Sequence, residues 1–339
     1  MLFVCVHIVS ATVQYQITDL GTLGGSSSRA TAINSNGQVV GYSWIDGDTK
    51  QQAFLYSNGS MQNLDWQYGS VYSQANGINS NGQVVGKFFR DGYWHAFLYQ
   101  NGSMNYLYPV PGVLTDSNGI NDSGQIITGS GRAVLYTSVR EWNPLEPLGN
   151  RSSTAYGINN SGQVVGDADF CGGSRAFLYS NGSMRDLGAL GGAFSRAFAI
   201  NDDGQVVGWA YTSDNTMSHA FLYSNGSILG LNTETDVESQ AYGINALGQV
   251  VGFISRYRNE EGHRAFLYRN GVMNDLNNFI NPSSGWTLRD ATAINDIGQI
   301  TGYGINALGQ EHAFLLTPIP EPATLGLLCL GFLMLKRRS

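Results

Sequence analysis

Ala30-Thr31-Ala32-Ile33-Asn34-Ser35-Asn36-Gly37-Gln38-Val39-Val40-Gly41 decides the fold, because its centre returns along the chain. Ile-Asn-x-x-Gly-Gln starts at Ile33, Ile78, Ile120, Ile158, Ile200, Ile244 and Ile294, and apolar residues and a glycine follow each copy. A second string, Ala-Phe-Leu-Tyr, starts at Ala53, Ala96, Ala133, Ala176, Ala220, Ala265 and Ala313, with Val134 replacing Phe and Leu316 replacing Tyr. Asn34 and Asn295 lie 261 residues apart across six intervals, a period of roughly 43 residues that suits a propeller blade.

Each unit reads as four short strands. Strand A ends at Ile33, a tight turn follows at Asn34-Ser35-Asn36-Gly37, and strand B covers Gln38 to Ser43. Strand C covers Gln52 to Tyr56 and strand D Ser60 to Leu64, joined at Asn58-Gly59. Asn-Gly is the pair a type I′ hairpin demands, because both central residues need positive φ. It recurs at Asn101-Gly102, Asn181-Gly182, Asn225-Gly226 and Asn270-Gly271. Strands B and C are apolar on both faces, so each sheet must be covered on both sides. A ring of like sheets covers every copy, and seven copies imply a seven-bladed all-β propeller over residues 12–317.

The repeat ends predict how the ring closes. The last unit stops at strand C, Ala313 to Leu316, and has no strand D. Tyr15-Gln16-Ile17-Thr18-Asp19-Leu20-Gly21 matches the strand D segment Ser183-Met184-Arg185-Asp186-Leu187-Gly188. The N-terminal strand is therefore expected to complete the last blade and remove two open edges.

Composition agrees. Glycine occurs 44 times in 339 residues, about twice its average share, and the repeats assign most of it to turns. Charged residues are only 13%, yet 42% are hydrophobic, which excludes disorder. The net charge of −7 and the three lysines leave no basic footprint for nucleic acid. Three cysteines, Cys5, Cys171 and Cys329, give no disulfide framework.

The two ends read as addresses. Residues 1–11, MLFVCVHIVSA, form the apolar part of a signal peptide without its basic start. Residues 318–339 begin Pro318-Ile319-Pro320-Glu321-Pro322, continue through apolar Ala323 to Leu335 and end Lys336-Arg337-Arg338-Ser339. This order resembles the PEP-CTERM sorting signal of Gram-negative bacteria, carried by Pro320, Glu321 and Pro322 with the basic Lys336, Arg337 and Arg338. The resemblance implies export, a transient inner-membrane anchor through a short helix, and processing by an exosortase, in a cell that makes exopolysaccharide. The body resembles the HAF-repeat extracellular proteins, through His95-Ala96-Phe97, His219-Ala220-Phe221 and His312-Ala313-Phe314. Gln52, Arg132, Arg175 and Arg264 replace the histidine in the other copies.

Nothing in the sequence demands a cofactor or a catalytic centre. His95, His219 and His312 sit on non-adjacent blades and cannot share a metal. The turn at Asp202-Asp203 is the best calcium candidate, yet its counterparts lack the oxygens. No nucleophile elbow or P-loop is present. The expectation is a non-enzymatic binding or structural protein of the cell surface or matrix, with a polysaccharide hydrolase or lyase as the alternative.

A binding face follows from the asymmetry of the unit. A–B and C–D turns share one face and are nearly uniform; B–C and D–A connections share the other and vary. Loops on a rigid scaffold carry binding. The variable face should carry Trp44, Trp66, Tyr68, Phe89, Tyr93, Trp94, Tyr211, Tyr257 and Trp286, rings suited to sugar faces. Trp209 reads as core.

Overall fold

The computed structural model describes residues 15–65, 69–107, 114–145, 152–170, 173–214, 216–231, 237–256 and 260–320. Within them lie seven antiparallel sheets of four strands each, arranged in a ring. The chain is a seven-bladed β-propeller. Blade 1 comprises strand A (Gly24–Ile33), B (Val39–Ile45), C (Gln51–Ser57) and D (Ser60–Asn63). Blades 2 to 6 occupy 73–106, 114–144, 153–188, 191–230 and 238–275 in the same order.

Blade 7 is composite, as the repeat ends predict. Its strands A to C are Thr287–Ile294, Ile300–Ile305 and Glu311–Pro318, and Tyr15–Asp19 lies beside strand C as strand D. The register runs from Tyr15 opposite Pro318 to Asp19 opposite Phe314. His312 Nδ1 meets the Asp19 carboxylate at 2.8 Å and fastens the strand at the other end. Both ends of the composite blade thus leave the ring on the face of the A–B and C–D turns, here the turn face.

The Asn-Gly hairpins have the expected geometry. Asn58, Asn101, Asn181, Asn225 and Asn270 take φ of 51–52°, and the glycine after each is also positive. Strand B glycines serve another need. A Cβ on Gly41 would stand 2.0 Å from the Arg29 carbonyl oxygen, so strand A can approach only a residue without one.

The cores lie between blades. Val40, Ala53 and Leu64 of blade 1 pack on Ala75, Val84, Phe88 and Phe97 of blade 2. Ala30, Val39 and Phe54 of blade 1 pack on Leu20, Ala313 and Leu315 of blade 7 across the closing seam. The Phe of Ala-Phe-Leu-Tyr is the plug of six blades, where Phe54, Phe97, Phe177, Phe221, Phe266 and Phe314 have no exposed surface, and Val134 is equally buried in blade 3. The Ala supplies a backbone N–H for the neighbouring blade. Ser73 Oγ accepts from Ala53 N, Ser195 from Ala176, Ser239 from Ala220, and Ser28 from Ala313 across the seam.

Ile-Asn-x-x-Gly-Gln has a ring-closing role. Each Asn caps its own turn, as Asn201 does by accepting from Gln205 N at 2.9 Å. Its Nδ2 then donates to the carbonyl of the equivalent Asn in the next blade. The bonds run 34→79→121→159→201→245→295→34, each at 3.0–3.1 Å. An eighth copy, Ile305-Asn306-Ala307-Leu308-Gly309-Gln310, repeats residues 244–249 letter for letter. It joins strands B and C of blade 7 and forms the same turn, with Gly309 N donating to Asn306 O at 2.9 Å. Being off the ring, Asn306 points Nδ2 to Asp19 at 3.3 Å. The hexapeptide specifies a turn; only its place in strand order puts it on the axis.

Candidate functional site

Three tiers of side chains line the axis. On the turn face the asparagine ring borders a cavity of about 230 Å³. Asp122, Asp202 and Asp296 stand at its rim, and each accepts a backbone N–H from the preceding blade at 2.8–2.9 Å. The proposed calcium residue Asp202 is thus an inter-blade link. Among the described residues, no group of three or more His, Cys, Asp or Glu is placed to hold a metal.

The middle tier is split. Thr31, Asn76 and Asn118 bond the strand A carbonyls of Ala75, Ser117 and Ala155 at 2.7–2.9 Å, and Thr292 bonds Ala30 at 3.1 Å. The same position in blades 4, 5 and 6 is Tyr156, Phe198 and Tyr242. Their ring centroids are 5.5 and 5.3 Å apart in sequence, an aromatic arc on one wall.

The third tier faces the variable connections. Strand pairing places Arg29 beside Tyr42, Gln74 beside Lys87, Thr154 beside Asp167, Arg196 beside Trp209 and Asp290 beside Tyr303. Arg29 binds Glu311 at 2.7 Å and Glu260 at 2.9 Å, with its guanidinium 4.0 Å from the centre of the Tyr303 ring. Arg196 binds Asp167 at 3.0 Å and Lys87 binds Asp116 at 3.2 Å. His263 lies flat on Phe253, 3.7 Å between centroids, and its Nδ1 is 2.8 Å from Asp290. Tyr303 donates its hydroxyl to the same carboxylate at 2.7 Å.

Together the second and third tiers enclose a funnel of about 500 Å³ that opens on the variable face. Its electrostatics are set by burial and by these pairs. Burial lowers the pKa of Arg29, but the bonds from Glu311 and Glu260 outweigh it and raise it. The Arg29 hydrogen bond holds Glu260 below the usual carboxylate range. Burial pushes the Tyr156 phenol up to about 12 and also raises Tyr42, Tyr242 and Tyr303. These phenols stay protonated donors at neutral pH.

No family model matches the chain, and no curated protein matches it. Its likeness is to solved propellers. A structure of YCF48 bound to D1 peptide superposes with a TM-score of 0.53 at 10% identity, covering 92% of this chain and 97% of that one. The β-propeller domain of the Trilobed protease from Pyrococcus furiosus, described as having an open velcro topology, gives 0.54 at 8% identity over 89% and 93%. A puromycin-hydrolyzing peptidase of Mycobacterium tuberculosis gives 0.56 at 11% identity. This chain covers 89% of its own length there but only 56% of the peptidase. These likenesses show the fold.

The funnel opens on the face that the sequence assigns to binding, but through other residues. Trp44, Phe89, Tyr93, Trp94 and Tyr211 belong to strand ends, not to connections, because strands B and C run further than expected and blade 2 turns in two residues, Asp91-Gly92. They stand at the variable-face strand ends of blades 1, 2 and 5, with Phe89, Tyr93 and Trp94 together on blade 2. Trp44 meets Tyr72 edge-on at 6.4 Å, Phe89 meets Trp94 at 5.4 Å, and Tyr211 meets Phe194 at 6.0 Å. Tyr93 is the most open, at 72% exposure. Trp286 packs against the blade 7 core, edge-on to Phe314, and is a structural cap. Trp209, read as core, is half-buried in the third tier within 5.8 Å of Arg196. Trp66, Tyr68 and Tyr257 lie outside the described residues, as do residues 1–14 and the sorting residues from Glu321 to Arg338.

The three repeat histidines have separate fates: His95 stacks beside Phe88 and Tyr106, His312 holds Asp19, and His219 is buried. The histidine that reaches the funnel is His263, outside the repeat string. The funnel wall left a signal in the sequence. Thr31, Asn76, Asn118, Tyr156, Phe198, Tyr242 and Thr292 hold one register position, three before the ring asparagine, and vary widely while the residues on either side stay Ala, Gly or Ser.

Proposed function

We propose that this protein is a non-enzymatic, exported binding propeller that takes an extracellular polysaccharide into its axial funnel. The observation that carries the reading is the arc of Tyr156, Phe198 and Tyr242 beside hydrogen-bonding groups in an open funnel of about 500 Å³. Aromatic faces take the apolar side of a sugar while carboxylates and phenols take its hydroxyls. Export and exosortase processing are supported by the apolar residues 1–11 and by the resemblance of residues 318–339 to a sorting signal. Among the described residues, no helix is long and apolar enough to cross a membrane. Because both ends of blade 7 leave on the turn face, anchoring through residues 318–339 would hold the funnel mouth away from the membrane.

The His263–Asp290 pair favours a second reading, a hydrolase or lyase, since an aspartate-oriented imidazole is a general-base arrangement. Glycoside hydrolysis also needs a carboxyl of raised pKa as acid, and Glu260 is shifted the other way. The purified protein should be incubated with exopolysaccharide from an exopolysaccharide-making bacterium. Retention without chain shortening supports the binder, and shortening supports the enzyme. Phe198→Ala with Tyr242→Ala should weaken retention roughly 10- to 30-fold, from about 1 kcal/mol per ring. Unchanged retention removes the funnel from the reading.

A further inference from the structure

The charges around the funnel say which sugars it can take. Its lining carries one strong base, Arg29, and two carboxylates, Glu260 and Asp290. Arg29 is engaged on both sides, by Glu260 and by Glu311 behind it. The other bases of the tier, Lys87 and Arg196, are held by Asp116 and Asp167. No described base of this tier therefore faces the funnel without a carboxylate on it. Arg289 also acts on Glu260 but lies outside the lining.

The lining carboxylates outnumber that base: Glu260 accepts from Arg29, and Asp290 from His263 and Tyr303. A carboxylate only accepts, so His263 Nδ1 donates to Asp290. His263 lines the funnel with its ring fixed flat on Phe253. Tyr242, also in the lining, feels three carboxylates, Asp290, Glu260 and Glu238. The rings here accept cations on their faces, as Tyr303 does with the Arg29 guanidinium at 4.0 Å.

We propose that the funnel selects a glycan bearing free amines over its N-acetylated or uronate counterparts. The proposal rests on the funnel being the polysaccharide site. An ammonium group there meets excess carboxylate and aromatic faces. A uronate meets the same excess of negative charge and no available base.

The test is calorimetric titration of the full chain at about pH 5.5, below the pKa of an amine flanked by ring oxygens and above that of ordinary carboxylates, with the hexasaccharides of glucosamine, N-acetylglucosamine and galacturonate. Glucosamine hexasaccharide should bind at least tenfold tighter than either other. The preference should shrink between 20 and 200 mM salt. Glu260→Gln, at a side chain 57% exposed, should cut the preference several-fold while the β-sheet circular dichroism spectrum stays that of the parent. Equal binding of all three, or tighter binding of galacturonate, overturns the amine selectivity and leaves the funnel as a glycan site. Binding of none overturns the glycan reading and this proposal with it.

Discussion

Asn201→Ala should lower the melting midpoint by about 5 °C, and the figure follows from the ring. Asn201 is 6% exposed. It accepts from Gln205 N at 2.9 Å and donates to Gln205 Oε1 at 2.8 Å and to Asn245 O at 3.0 Å. Truncation removes all three bonds and orphans the half-buried Gln205 N–H. At about 1 kcal/mol net for each bond, with more for the orphan, the loss is roughly 3 kcal/mol. For a body of about 300 residues the unfolding entropy is roughly 0.6 kcal/mol per degree, so the midpoint falls about 5 °C. Asn201→Asp should fall further, because an acceptor then faces the Asn245 carbonyl. The neighbour Asn160 is the control: it is exposed and its bonds to Asp122 and Asp202 lie in solvent. Asn160→Ala should cost under about 1 kcal/mol. Differential scanning fluorimetry reads all three variants. Equal midpoints for Asn201→Ala and Asn160→Ala would refute the ring as a stabilising element.

Other perturbations test separate parts. Gly208→Ala places a Cβ 1.9 Å from the Arg196 carbonyl, a backbone atom that cannot yield, and should cost at least about 3 kcal/mol by urea titration. Gly226→Ala, at φ 83° with open space around it, should cost only about 1 kcal/mol. Deleting Tyr15–Asp19 uncovers the strand C edge at Phe314 to Pro318 and removes the buried Tyr15. It should cost roughly 5 kcal/mol or more, read as a collapsed midpoint or as aggregation. Arg29→Met should make stability less dependent on acid. The folded pKa of Glu260 is depressed, so its contribution is present above the ordinary carboxylate range and lost as pH falls through the folded value. The gap in melting midpoint between the parent and Arg29→Met should therefore narrow as pH falls below that range; a constant gap would show that the pair does not titrate.

The fold was legible because its determinants are periodic. Glycine, asparagine and the Phe plug recur where backbone geometry and blade packing require them, and the missing strand D could be found by matching Asp19-Leu20-Gly21 to Asp186-Leu187-Gly188. The site was less legible because it is not periodic. Arg29, Tyr156, Glu260, His263 and Asp290 come from four different units, blades 1, 4, 6 and 7, and meet only once the ring is closed. Aromaticity alone pointed to the rim, since a tryptophan such as Trp286 capping a core reads the same in sequence as one facing solvent. The eighth hexapeptide at Ile305 carries the same lesson: local turn chemistry is written in the letters, and its use is written in strand order.

The pairing of Tyr15 with Pro318 bears on where the chain can be cut. Those two residues stand across from each other as Ser57 and Ser60 do around Asn58-Gly59. An Asn-Gly link between Pro318 and Tyr15 would turn the composite blade into an ordinary one. The chain would then be a covalent circle of seven equivalent seams. It could be reopened at an exposed hairpin such as Asn101-Gly102 to give a circular permutant. Such a permutant should fold to the same ring, since no contact in the asparagine circle depends on which blade is made first.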